Sequence, residues 1–289
     1  DLQTGDTDTN TGLTGSTGAI DAGYQTKYTG FTYQKAESNL TPNTDFTIQG
    51  DGSLVISVYY TRNTHNVSYS YTGTVPSTAT ICPVGTTGVP YGAAVTVEPN
   101  GSATGYTFSG WSSSQTTATA GGTFSMPNEN VTFSGSFTPA TVNYTVKYYL
   151  QNATATGYDL QTGDTDTNTG LTGSTGAIDA GYQTKYTGFT YQKAESNLTP
   201  NTDFTIQGDG SLVISVYYTR NSHNVSYSYT GTVPSTATAL PITAGHLYGT
   251  TVTVAANASA TGYTFSGWSS SQTTATAGGT FSMPNEDVT

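Results

Sequence analysis

Large apolar side chains fall on every second residue in several short runs of this chain. Val142, Tyr144, Val146, Tyr148 and Leu150 alternate with Asn143, Thr145, Lys147 and Tyr149, which is the period of a half-buried strand. Leu54, Ile56, Val58 and Tyr60 do the same, and Leu212, Ile214, Val216 and Tyr218 repeat it. Another such run opens with Val67, Tyr69 and Tyr71, and a later one holds Val131, Phe133 and Phe137. Val95 with Val97, Val252 with Val254, the stretch GYTFSGW at residues 105–111, and Phe124 with Met126 mark shorter strands. Helical periodicity is scarce: one or two turns are predicted over residues 18–27, followed by strand-like residues 30–33. Residues 112–122, almost wholly Ser, Thr, Ala, Gly and Gln, carry no hydrophobic period and read as an exposed, hairpin-like excursion.

These runs recur because the chain repeats itself. Residues 1–63 and 159–221 are identical, and after the change Thr64/Ser222 the match continues from His65/His223 to Thr80/Thr238. Residues 81–101 differ from their counterparts 239–258, and identity resumes from Ser102/Ser259 to Glu129/Glu286. Two modules therefore alternate. Residues 142–221 form a complete module A, and 64–141 a complete module B. Residues 1–63 read as an A module without its first strand, and 222–289 as a B module without its last. The fold class expected is mostly β, a tandem array of four small domains with the first and last incomplete. Short linkers, Asn63-Thr64-His65 and Thr138-Pro139-Ala140-Thr141, predict an extended, semi-rigid rod.

Composition narrows the function. Eighteen acidic residues against 7 basic ones leave no basic patch to neutralise phosphates, which argues against nucleic-acid partners. No apolar run is long enough to span a bilayer, so no membrane insertion is expected in this sequence. The single cysteine, Cys82, has no counterpart in the second copy, so a structural disulfide is not expected.

Module A, through YTVKYYLQN, YTGFTYQKA and GDGSLVISVYYTRN, resembles the mucin-binding-protein (MucBP) type repeat of Gram-positive surface proteins. Module B, through HNVSYSYTGTVP, GYTFSGWSS and FSMPNENVTFSGSF, resembles the Listeria–Bacteroides or internalin B-repeat type. The resemblance implies β-grasp-like modules of α+β character, in which a sheet curls over a short helix. It also implies an extracellular place on a bacterial surface, anchored to the cell wall in the full-length protein. The expected role is a non-enzymatic stalk that projects a distal binding region of an adhesin. Two alternatives remain open: multivalent binding of host mucin or glycans, and a fibre in which neighbouring copies complete one another's sheets.

Candidate chemistry is sparse. Asp6, Asp8 and Asn10, repeated as Asp164, Asp166 and Asn168, place oxygens at alternate positions as calcium loops do. The loop lacks the glycine at its sixth position and the glutamate at its twelfth, and a strand with these residues on its outward face explains the same spacing. Lys147, Asn221 and Glu195 are the residue types of a Lys–Asn isopeptide staple, although the alternation points Lys147 to solvent. Tyr59, Tyr149 and Tyr217 lie opposite the core face and are candidates for glycan contact or for packing on the module's own loops. Trp111 and Trp268 read as core anchors rather than sugar platforms. His65, His223 and His246 lack metal-ligand spacing and no G-x-S-x-G elbow is present, so no catalytic residue, cofactor or enzyme activity is expected.

Overall fold

A computed structural model describes residues 5–289. It divides into two compact units, Asp1–Thr138 and Pro139–Thr289. In the first unit the strands are β1 (Phe31–Ser38), β2 (Ile56–Arg62), β3 (Thr64–Thr72), β4 (Thr86–Pro90), β5 (Ala94–Thr96), β6 (Tyr106–Phe108), β7 (Thr123–Ser125) and β8 (Val131–Pro139). The second holds β9 (Thr141–Gln151), β10 (Tyr158–Leu171), β11 (Phe189–Ser196), β12 (Val213–Arg220), β13 (Ser222–Val225), β14 (Ala244–Leu247), β15 (Thr251–Thr253) and β16 (Thr280–Ser282).

The complete A module is one four-stranded sheet in the order β10-β9-β12-β11. Its central strands β9 and β12 run parallel, from Val213 opposite Thr145 to Tyr218 opposite Leu150, and each flanking strand is antiparallel. First and last strands side by side, with a hairpin on each flank, give the β-grasp order. Alternation fills one face: Tyr144, Val146, Tyr148, Ile214, Val216 and Tyr218 are all buried. The complete B module uses the same plan, β4-β3-β8-β6, with β3 and β8 parallel.

The helical turn expected within residues 18–27 is present and short. Among the described residues there is no α-helix; module A has a single 3₁₀ turn, Tyr24–Thr26 and again Tyr182–Thr184. The preceding glycine sits in the left-handed region and no side chain caps the turn, and a Thr/Gly-rich stretch has little intrinsic helicity to extend it. Strand β1 is also longer than the four residues its sequence suggested, because pairing with β2 extends it to Ser38.

Residues 112–122 are not an excursion either. Ala118 and Ala120 pack against the B core, and the Val97 and Gly121–Gly122 backbones exchange hydrogen bonds of 2.8 and 2.9 Å. Small side chains let this stretch lie flat on the core, which the absence of large apolar residues concealed.

Candidate functional site

Two features lie outside the sheets' own cores: the joint between an A module and the following B module, and the outer tyrosine face of A. Each unit contains one A-to-B joint.

The last residues of β2 and the first of β3 are nearly continuous, and Asn63 between them is held on both sides. Its N–H donates to Gly30 O at 2.9 Å and its carbonyl accepts from Tyr91 N–H at 2.8 Å. Its side chain accepts from Thr32 Oγ1 at 2.7 Å and donates to Asn128 Oδ1 at 2.9 Å. Arg62 donates to Tyr91 O at 3.0 Å and lies over the Phe31 ring, which meets the Tyr91 ring edge-on. Gly30 has φ +80°, and a Cβ there would stand 2.0 Å from the Tyr91 ring, so backbone freedom and empty space both require glycine.

The second unit repeats this set. Arg220 donates to Tyr248 O at 2.8 Å and stacks over Phe189, and Asn221 bonds to Thr190 and Asn285. Gly188 again faces the tyrosine ring, that of Tyr248. Tyr91-Gly92 and Tyr248-Gly249 are kept inside the segment where most differences between the copies fall, together with Val95-Thr96-Val97 and Val252-Thr253-Val254. That retention is a partial signal for this joint, since strand residues Val95-Thr96-Val97 are kept in the same segment. His65 and His223 lie beside it, each with Nε2 3.0 Å from the same asparagine, Asn128 or Asn285.

The alternating Asp/Asn series does not face outward in the second unit. On β10, Asp164, Asp166 and Asn168 are half-buried on the core side. Asp166 accepts from Tyr148 Oη at 2.6 Å, Asp164 from Tyr186 Oη and Lys185, and Asn168 donates to Asp179 at 2.9 Å. The tyrosine hydroxyls at the rim of the core need acceptors once buried, and the short acidic side chains reach them. The Tyr186 hydrogen bond, with the Lys185 ammonium beside it, holds the Asp164 carboxyl below its usual range. Burial, reinforced by these carboxylates, pushes the Tyr148 and Tyr186 hydroxyls well above theirs. In the first unit Asp6 and Asp8 are exposed and bond Lys27, with Tyr28 also on Asp6, while Asn10 donates to Asp21. Among the described residues no group of three His, Cys, Asp or Glu is placed to hold a metal.

On the outer face, Tyr149 and Tyr217 stack at 5.0 Å with an interplanar angle of 20°, and Tyr158 meets Tyr217 edge-on. Lys193 lies over Tyr217, as Lys35 does over Tyr59, which is 42% exposed. Tyr149 and Tyr217 are thus each other's cover and only half exposed. The isopeptide residues are engaged elsewhere: Asn221 in the joint, Glu195 with Lys193. Trp111 is buried and donates to Pro99 O at 2.8 Å, whereas Trp268 is half-buried. The strand register also sets His223 opposite His246, a pairing that sequence spacing does not show.

Known proteins resemble parts of this chain. Residues 67–141 and 229–289 match the family model of the divergent InlB B-repeat domain. These are B-module stretches, and they make up less than half the chain. Among solved structures, the chain is similar to Streptococcal High Identity Repeats in Tandem (SHIRT) domains 3-4 from a cell surface protein. That match has 15% identity and a TM-score of 0.21, and covers 54% of this chain and 99% of that one. No curated protein matches the sequence.

Proposed function

We propose that the chain is a non-enzymatic stalk segment of a bacterial cell-surface adhesin, four small modules in a row that project a distal binding region from the cell wall. The observation that carries this reading is the A-to-B joint, built from the same residues in both units. A linker of one residue clamped by an arginine, an asparagine pair and a ring against a glycine resists bending, which is what a spacer needs. The B-repeat match supports a place among surface repeat proteins. Small-angle scattering tests it. Four modules of about 25–35 Å each give a maximum dimension of roughly 100–140 Å. A radius of gyration of about 19 Å, that of a compact globule of this length, would overturn it.

A second reading rests on the Tyr149–Tyr217–Tyr158 ladder, whose half-exposed rings and neighbouring Lys193 offer a stacking surface to sugar rings. On this reading A modules bind host mucin or glycans and repetition supplies avidity. Saturable binding of the chain to purified mucin, competed by a free sugar and lost in Tyr217→Ala, supports it. Binding unaffected by Tyr217→Ala counts against it.

A further inference from the structure

Asn100-Gly101 is the one Asn-Gly pair of the sequence, and its counterpart in the other copy is Asn257-Ala258. Both pairs hang between the same two anchors. On one side the indole of Trp111 donates to Pro99 O at 2.8 Å, and that of Trp268 to Ala256 O at 3.0 Å. On the other side Ser102 N–H donates to Thr80 Oγ1 at 3.0 Å, and Ser102 O accepts from Thr80 N–H at 2.8 Å. Ser259 and Thr238 repeat these two bonds at 3.2 and 2.9 Å.

Between the anchors both asparagines are exposed and lie outside any strand. Among the described residues no hydrogen bond engages the Asn100 carboxamide or the Gly101 N–H. These are the two groups that must meet for an asparagine to cyclise, and neither is tied up. The glycine acts in two ways. Lacking a Cβ, it leaves its own nitrogen approachable and its backbone free to turn. Packing also asks for it, because a Cβ at Gly101 would stand 2.5 Å from Tyr71 Oη.

We propose that Asn100 is a site of spontaneous self-modification by deamidation. The Gly101 nitrogen gives its proton to solvent and attacks Asn100 Cγ. A C–N bond forms, the bond from Cγ to the side-chain nitrogen breaks, and that nitrogen leaves as ammonia. Water then opens the cyclic imide. Opening at one carbonyl leaves an aspartate at position 100, and opening at the other leaves an isoaspartate, whose main chain runs through the former side chain. Water is the only co-reactant. Either product adds a negative charge to an exposed loop beside Glu98. The isoaspartate also adds a main-chain carbon between the two anchors, which strains the Trp111–Pro99 bond. Asn257 keeps its amide, because the Ala258 side chain restricts the turn that the attack requires. The two B modules therefore age differently, and this holds independently of the stalk reading.

The test incubates the full folded chain in warm, mildly alkaline buffer, digests samples over time and follows both asparagines by mass spectrometry. A peptide of residues 94–106 serves as the unfolded reference. Position 100 should become a mixture of aspartate and isoaspartate, heavier by the difference between an amide NH₂ and a hydroxyl. Its conversion should be roughly tenfold or more faster than that of Asn257, whose neighbour carries a Cβ. It should also lie within about tenfold of the peptide's rate, because a segment without ladder hydrogen bonds opens at little cost. The chain with Ala258→Gly should convert Asn257 as well. The proposal is overturned if Asn100 keeps its amide while the peptide loses it, if Asn100 and Asn257 convert equally fast, or if Ala258→Gly leaves Asn257 intact.

Discussion

The hydroxyl of Tyr148, a fully buried residue, donates a 2.6 Å hydrogen bond to Asp166 on the neighbouring strand. The strand alternation that fills the core with tyrosine creates this polar demand at its rim, and the Asp/Asn series on β10 meets it.

Asp166→Ala should destabilise the second unit by about 1–3 kcal/mol, the cost of leaving a buried donor unpaired. Asp8→Ala, the same change in the first copy, should cost little, because Asp8 is exposed and its partner is the surface ammonium of Lys27. Urea denaturation of the two variants measures the difference, and equal losses would contradict the assignment.

Alkaline pH should unfold the second unit. Burial raises the Tyr148, Tyr186 and Tyr218 hydroxyls above the ordinary tyrosine value of 10.0. A group whose pKa is raised by folding contributes stability that is complete below its unfolded value and is lost as pH rises beyond it. Stability should therefore be flat up to about pH 10 and fall above it. Absorbance at the phenolate band should show these tyrosines ionising only together with unfolding. At the acid end the Asp164 contribution has the opposite sign, present above the ordinary carboxylate range and lost as pH falls through its lowered value.

Gly188→Ala should loosen the second A-to-B joint. It forces a side chain into the left-handed region and against the Tyr248 ring. The expected cost is about 1–3 kcal/mol at the joint. Faster amide exchange at Asn221 and Tyr248, with the β9–β12 core still protected, is the readout. Loss of protection throughout the sheet would mean that the joint and the core are one cooperative element.

Trp111→Ala should cost about 3–5 kcal/mol, as removal of a fully packed core ring does. Thermal melts of the variant against the parent chain measure the loss, and an unchanged melting temperature would contradict the placement of Trp111 in the core.

Much of this fold was legible in the alternating residues. Tyr144, Val146 and Tyr148, with Ile214, Val216 and Tyr218, were marked as core by period alone, and they are buried in parallel strands. The joint was half legible, through the tyrosine-glycine pair kept, with the Val-Thr-Val strand residues, inside the segment where most differences fall. The inward turn of Asp164, Asp166 and Asn168 was not, because an alternating polar series reads the same from either face until its neighbour is known.

Partners distant in sequence decide the rest. Residues 163–171 are strand because β9 lies beside them, and Trp111 is buried against Tyr69 and Tyr71 of β3. The residue order set which side chains alternate and which modules repeat, since period and propensity are local properties. Whether a segment becomes a strand, and whether an aromatic ring is buried, depended on backbone partners distant in sequence, because a strand's hydrogen bonds and a core's walls are supplied by other parts of the chain.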